Sequence, residues 1–259
     1  MRVLVTNDDG VASPGLLALA EAVFRAGHEP LVVAPASDHS GCGGSIGPLG
    51  AGGRIEYERQ ALPSGVPAVA VDGPPALCVI SACLGGFGRN PDAVVAGVNP
   101  GNNTGRAVLH SGTVAAALTA LTFSRSAVAV SLALSDAMPW DLAARAAVVP
   151  LPWLAGLPRP VALNLNLPAL ELGMPKGVRA ARLADAGIVQ ATVEEVTDGV
   201  LELTLPSPTD LHPSSDTALV LDGYAAVTVL AGIERRGGDD QHLAAAMVAR
   251  SFEREAVSA

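Results

Sequence analysis

Two adjacent carboxylates, Asp8 and Asp9, follow the apolar run Val3-Leu4-Val5 and precede Gly10 in the segment Asn7-Asp8-Asp9-Gly10. Neighbouring side chains on an extended strand point to opposite faces, so both acids can face one ion only where the chain already turns. Gly10 supplies such a turn. A pair of carboxylates at the end of a first strand suits a divalent cation, although the same pair would also serve to form a turn and cap the next helix.

Two further polar loops follow apolar runs. One is Ser37-Asp38-His39-Ser40-Gly41-Cys42-Gly43-Gly44-Ser45, and the other is Asn99-Pro100-Gly101-Asn102-Asn103-Thr104-Gly105, leading to His110-Ser111-Gly112-Thr113 ahead of a small-residue helix. Asp8 and Asp9 would give charged oxygen ligands, with Ser40 and Asn99 giving neutral ones. Such an all-oxygen set suits Mg²⁺ or Mn²⁺ rather than zinc. A helix start with free N–H groups and a hydroxyl cap suits phosphate, which places that group between the ion and Asn103, Ser111, Gly112 and Thr113. Singly, each of these residues is equally suited to turning the chain or capping a helix; their placement after three successive strands points to one site.

The elements that must carry these loops read as an α/β protein. Strands are expected over Arg2–Thr6, Leu31–Ala34, Ala93–Ala96 and Ala127–Ser131, with helices over Pro14–Ala26, Pro75–Leu84 and about Thr113 to Leu121 between them. Alternation of this kind predicts a parallel sheet with right-handed crossovers, covered by helices on both faces. Ligands of such sheets sit outside the carboxyl ends of the strands, where all three polar loops fall. The second half is less regular: Trp140–Val149 reads as helix, Val161–Asn164 as strand, and Arg179–Leu205 as short strands broken by the hairpin signal Asp198-Gly199. Val149-Pro150-Leu151-Pro152 has linker composition, and Gln241 to Arg250 has helical composition.

Composition narrows the function classes. The 259 residues are 49% hydrophobic and only 16% charged, which fits one sizeable domain with a large core and excludes disorder. A net charge of -9 without a basic stripe argues against a nucleic-acid polymer as partner. No apolar run approaches the ~18 residues needed to span a bilayer, and Cys42, Cys78 and Cys83 form neither a disulfide framework nor a metal spacing. The expectation is a soluble cytoplasmic protein acting on a small anionic molecule.

Taken in order, Val5-Thr6-Asn7-Asp8-Asp9-Gly10, Ser40-Gly41 with Ser45, Gly97-Val98-Asn99-Pro100-Gly101-Asn102-Asn103-Thr104-Gly105 and Ser111-Gly112-Thr113-Val114-Ala115-Ala116 resemble the SurE (survival protein E) nucleotidases. Val71-Asp72-Gly73-Pro74-Pro75-Ala76, Asn164-Leu165-Asn166-Leu167-Pro168, Ser215-Asp216-Thr217 and Gly223-Tyr224 extend the likeness to roughly residues 1–232. The resemblance implies a divalent-metal phosphatase acting on nucleoside 5′- or 3′-monophosphates, and in some members on polyphosphate. It places one Mg²⁺ or Mn²⁺ per subunit on Asp8, Asp9, Ser40 and Asn99. It also implies a Rossmann-like three-layer core, about 1–135 and 215–232, in a single domain over 1–259. A β-rich arm, about 160–210, would then build a homodimer or homotetramer.

Where the family carries basic residues before its second-motif Ser, this chain has Asp38-His39; where a Thr is common after Ser45, it has Gly47-Pro48; and where Tyr is frequent, it has His110. Pro74 and Leu77 stand where the family has more polar residues, from which a more apolar pocket rim is expected. The expected chemistry is in-line displacement at phosphorus by a metal-bound water. Asp9 orients or deprotonates the water, Asp8 helps hold the ion, and Ser111 and Thr113 stabilise charge on the phosphoryl oxygens. His110 is placed to donate to phosphate or to the leaving group, or to pack as an ordinary hydrogen-bonded residue. A specialised nucleotide-like ester, or binding without efficient turnover, is the alternative. An aspartyl-phosphate mechanism wants two acids with one residue between them whereas Asp8 and Asp9 are adjacent, a zinc deacetylase wants a His beside Asp8-Asp9, and a dinucleotide fold wants Gly where Ile46 stands.

Overall fold

The computed structural model describes residues 1–49, 52–169, 174–185, 192–204 and 210–233. Its centre is β1 (Arg2–Thr6), four of whose five residues are buried, as expected of an uninterrupted apolar run between two helical layers. On one side β1 pairs in parallel with β2 (Glu29–Pro35), and on the other with β5 (Ala93–Pro100). Beyond β2 lies β4 (Pro67–Val71), then the antiparallel β3 (Tyr57–Ala61) at the edge. Beyond β5 come β6 (Ala127–Leu132) and β7 (Ala162–Leu167), both parallel. Then β11 (Ala225–Leu230) runs antiparallel to β7 and parallel to β8 (Val178–Ala180).

Among the described residues the sheet order is therefore β3-β4-β2-β1-β5-β6-β7-β11-β8. The parallel centre, β4-β2-β1-β5-β6-β7, has the doubly wound arrangement in which the chain reverses its direction of travel between β1 and β5. The expected Rossmann-like three-layer core is what the chain forms.

One helical layer holds α1 (Pro14–Arg25), α4 (Trp140–Val148) and α5 (Leu151–Ala155), burying Leu16, Leu19, Val23, Leu151 and Leu154. The other holds α2 (Pro75–Cys83) and α3 (Gly112–Thr122), whose small residues Ala116, Ala117 and Ala120 allow close approach to the sheet. α1 starts where sequence rules place it: Ser13 Oγ accepts from the Leu16 N–H at 3.3 Å and Pro14 fills the first turn.

Two parts of the chain depart from the sequence expectation. The β3–β4 hairpin was not anticipated, because all five β3 residues are exposed and Tyr-Glu-Arg-Gln-Ala carries no apolar alternation. Val149-Pro150-Leu151-Pro152 is not a linker but the corner between α4 and α5. Val149 and Pro150 keep helical backbone there, and Pro152 sits in the first turn of α5, where its missing N–H costs nothing.

The second half contains the expected hairpin: β9 (Thr192–Thr197) and β10 (Val200–Thr204) pair antiparallel around Asp198-Gly199, apart from the main sheet. The short α6 (Asp216–Leu221) follows Ser215 and leads into β11. The helical segment expected over Gln241 to Arg250 lies outside the described residues. No helix among the described residues is long and apolar enough to cross a membrane.

Candidate functional site

The first polar loop follows β1, the second β2, and the third β5, so all three meet at the carboxyl edge of the sheet where the chain reverses. After β1 the chain turns at Gly10, whose φ of 97° a side chain would strain. Asn7 fixes that turn, its Nδ2 donating to the Gly10 carbonyl at 3.0 Å and to Ser13 Oγ at 2.7 Å. Asn7 thus links strand end to helix cap and leaves Asp8 and Asp9 between them. Within β5 a register shift between Ala96 and Asn99 redirects the end of the strand at the residue expected to be a ligand.

Asp8 is buried, and Thr113 Oγ1 donates a hydrogen bond to its Oδ1. Gly112 lies directly against it: a Cβ there would stand 2.8 Å from both Asp8 Cβ and Asp8 Oδ2. The Thr113 hydroxyl is also 3.4 Å from Asn99 Oδ1. Asn99 Nδ2 is spent on the Gly101 carbonyl at 2.7 Å, which leaves the amide oxygen turned towards Thr113 and Asp8. Asp8, Gly112, Thr113 and Asn99, from three separate segments, are thereby brought together.

Asp9 adds the electrostatic signature. Its Oδ2 is buried without a hydrogen-bond partner among the described residues. Burial, then the charges of Asp8 and Asp38, push its carboxyl up to about 7. Burial likewise raises Asp8, against the opposing Thr113 hydrogen bond. Two crowded acids, one with an unsatisfied oxygen, beside a neutral amide oxygen form a donor set that fits a hard divalent cation, and a cation would relieve both the repulsion and the orphaned atom. No cluster of three His, Cys, Asp or Glu side chains that could hold a metal occurs among the described residues; the set has two acids with neutral oxygens instead.

The second loop is drawn in by its backbone. The His39 N–H donates to the Asp8 carbonyl at 2.7 Å, and the Gly43 N–H to the His110 carbonyl at 3.0 Å. The Ser40 side chain is exposed and donates to Asp38 Oδ1 at 2.6 Å, so its hydrogen is used while its lone pairs stay free. The same contact, with the Ser40 N–H, holds the Asp38 carboxyl below its ordinary value.

On the phosphate side, Ser111 Oγ caps α3 by accepting from the Val114 N–H at 3.1 Å, leaving its own proton available. The Gly112 and Thr113 N–H groups lie in the first turn of this eleven-residue helix. His110 is exposed at the rim. Asn103 is held on most sides. Its N–H donates to Asn166 Oδ1 at 2.8 Å, its carbonyl accepts from Asn164 Nδ2 and Asn166 Nδ2, and its Nδ2 donates to Ser131 Oγ at 2.9 Å. One Nδ2 hydrogen and Oδ1 remain, which makes Asn103 as much an anchor of the loop as a contact for a ligand.

Three supporting groups were not among the expected site residues. Asp38 places a third negative charge near Asp8 and Asp9. Asn164 and Asn166 clamp the third loop from β7. Asp216, fully buried, accepts from the N–H groups of Gly105 at 2.9 Å, Ala184 at 2.9 Å and Thr217 at 2.8 Å. Two asparagines on one face of a fully buried strand were the available signal, since buried polar side chains require partners.

The family model described as survival protein SurE matches residues 3–190. A protein of Xanthomonas campestris pv. campestris named 5′-nucleotidase SurE is 40% identical over 189 residues, covering 71% of this chain and 70% of its own. One of the same name from Chloroflexus aggregans is 42% identical over 190 residues, covering 71% and 72%. The crystal structure of the SurE protein from Aquifex aeolicus superposes with a TM-score of 0.72 at 26% identity, covering 89% of this chain and 93% of that one.

Proposed function

Because the chain belongs to the survival protein SurE family, we propose that it is a phosphoric monoester hydrolase that releases phosphate from nucleoside 5′- and 3′-monophosphates at the Asp8–Asp9 cluster. The observation that carries this reading is the buried, unpartnered Asp9 Oδ2 next to the charge of Asp8, whose own carboxyl is linked through the Thr113 hydroxyl in the first turn of α3 to the Asn99 amide oxygen. Asp8, Asp9, Asn99 and a Ser40 lone pair hold one Mg²⁺ or Mn²⁺ per chain. When bound, the cation supplies Lewis acidity and neutralises phosphate charge.

The chain's own groups do the rest. The Ser111 hydroxyl, the Gly112 and Thr113 N–H groups and the second Asn103 Nδ2 hydrogen border the phosphate, and these donors hold charge that builds on its oxygens. The Asp9 carboxylate also aligns the attacking water and takes its proton. Water forms the new P–O bond in line as the ester oxygen departs with the nucleoside, and His110 at the rim donates to that oxygen. Thr113 keeps Asp8 in place, and Asn164, Asn166 and Asp216 hold the Asn99–Gly105 loop.

The working protein is a cytoplasmic homodimer or homotetramer joined through the β9–β10 arm. Val193, Val196, Leu201 and Leu203 are each at least half exposed on that arm, which suits burial against another copy.

The test is phosphate release from 5′- and 3′-nucleotides, an aryl phosphate and polyphosphate, with Mg²⁺, Mn²⁺ or chelator, alongside Asp9→Asn. Cation-dependent release that is lost in Asp9→Asn is expected. Release that survives chelation or the substitution would overturn the assignment, and no release from a folded, cation-loaded protein would turn it to a binding role.

A further inference from the structure

A concavity lies at the end of the sheet opposite the acidic loops. It has a volume of about 850 Å³ and is walled by the start of β2 (Glu29 to Val32), the start of β4 (Pro67 to Val69), the end of α1 and the β3–β4 hairpin. Those are the amino ends of the parallel strands. A strand of five to seven residues rises ~3.3 Å per residue, so the cavity stands roughly 16–23 Å from the carboxyl-edge acids. Its size lies in the range of sites that enclose a small molecule.

Its chemistry is the reverse of the acidic site. Three guanidinium groups, Arg2, Arg25 and Arg59, face two carboxylates, Glu21 and Glu29, in a chain whose net charge is -9. Arg2 pairs with Glu29 at 3.1 Å and Arg25 pairs with Glu21. Arg59 has no carboxylate partner among the described residues; it lies 5.5 Å over the Tyr57 ring. Tyr57 in turn meets Phe87 edge-on, with centroids 5.3 Å apart and planes at 84°. Phe24, 64% exposed, lines the α1 wall. The whole chain holds four Phe and two Tyr, so drawing two Phe into one cavity with a Tyr behind is a concentration of its scarcest apolar surface.

We propose that this cavity is a second binding site that takes a planar aromatic monoanion, its ring held between Phe24 and the Phe87–Tyr57 side and its anionic group on the Arg59 guanidinium. The flat ring matches the aromatic walls, and a carboxylate or sulfonate matches the planar donor fork of arginine. One net positive charge in the lining sets the ligand's charge at one. Nothing in this site depends on the phosphatase reading, because no residue is shared between the two ends of the sheet.

The probe is 2-naphthoate, titrated calorimetrically into the full chain in the presence of chelator. One site per chain is expected, with a Kd on the order of 0.1 mM. Arg59→Glu and Phe24→Ala should each weaken it about tenfold or more, as should replacing the probe with neutral 2-naphthylmethanol. Ser64→Trp, on the exposed hairpin turn, should block the cavity by bulk and serves if Phe24→Ala fails to fold. Asp9→Asn should leave binding unchanged.

Absence of saturable binding overturns the proposal, as does equal affinity in Arg59→Glu and Ser64→Trp. Loss of binding in Asp9→Asn would move the ligand to the acidic edge. Binding that disappears as chains associate, with association itself lost in Arg59→Glu, would make this face an interface between copies.

Discussion

The loops after β1 and β5 end adjacent strands, yet they are built on opposite principles. Asn7–Gly10 concentrates charge: Asp8 and Asp9 are buried together, raised by desolvation and mutual repulsion, and one oxygen of Asp9 has no partner. Asn99–Gly105 instead satisfies its polar groups through Asn164, Asn166, Ser131 and Asp216. The first loop stores an electrostatic cost that a ligand can relieve, while the second holds geometry. Stability given up in one place and made up nearby is the pattern expected of a site that binds charge.

The sharpest way to break this contrast is at Asp9. Asp9→Asn should lower cation-dependent phosphate release by about 10³-fold while raising the thermal midpoint of the cation-free protein at pH 8 by roughly 2–6 °C. The sign follows from linkage: its carboxyl rises from 3.8 to about 7 on folding, so the native state binds the proton more tightly. The cation-free wild type therefore loses stability as pH rises from about 4 through 7, and Asp9→Asn should flatten that loss. Denaturant midpoints at pH 5.5 and 8 in chelator decide it; a wild type equally stable at both values would mean that Asp9 is not crowded.

The Asn99–Gly105 loop should respond in the other direction. Asp216→Asn turns one oxygen of a carboxylate that accepts from three N–H groups into a donor, and should cost about 1–3 kcal/mol in chemical denaturation. Asn166→Ala, which frees the Asn103 N–H, should cost about 1–2 kcal/mol and raise KM more than it lowers kcat. Between the loops, Thr113→Val removes the donor to Asp8 at nearly constant volume and should weaken Mn²⁺ binding about tenfold by calorimetry. The smallest change is expected from Ser40→Ala, because Ser40 is exposed and already engaged by Asp38; a loss within about tenfold in cation affinity is the expected reading.

The strand–turn–helix alternation of the first half, the three polar loops and the family were legible in the sequence, because each is written in contiguous residues: an apolar run, a glycine turn, a hydroxyl cap. The sequence also carried the hairpin at Asp198-Gly199, a two-residue signal. How those pieces meet is a property of the folded chain alone. Thr113 reaches Asp8 across 105 positions, and Gly105 meets Asp216 across 111. Asp38, a substitution in its motif, becomes a third charge on the acidic pair only once β2 lies beside β1. The β3 strand escaped reading because an exposed edge strand needs no apolar alternation. Local propensity and period are short-range quantities, whereas the energy of a buried carboxylate depends on whatever the fold places within a few ångströms of it.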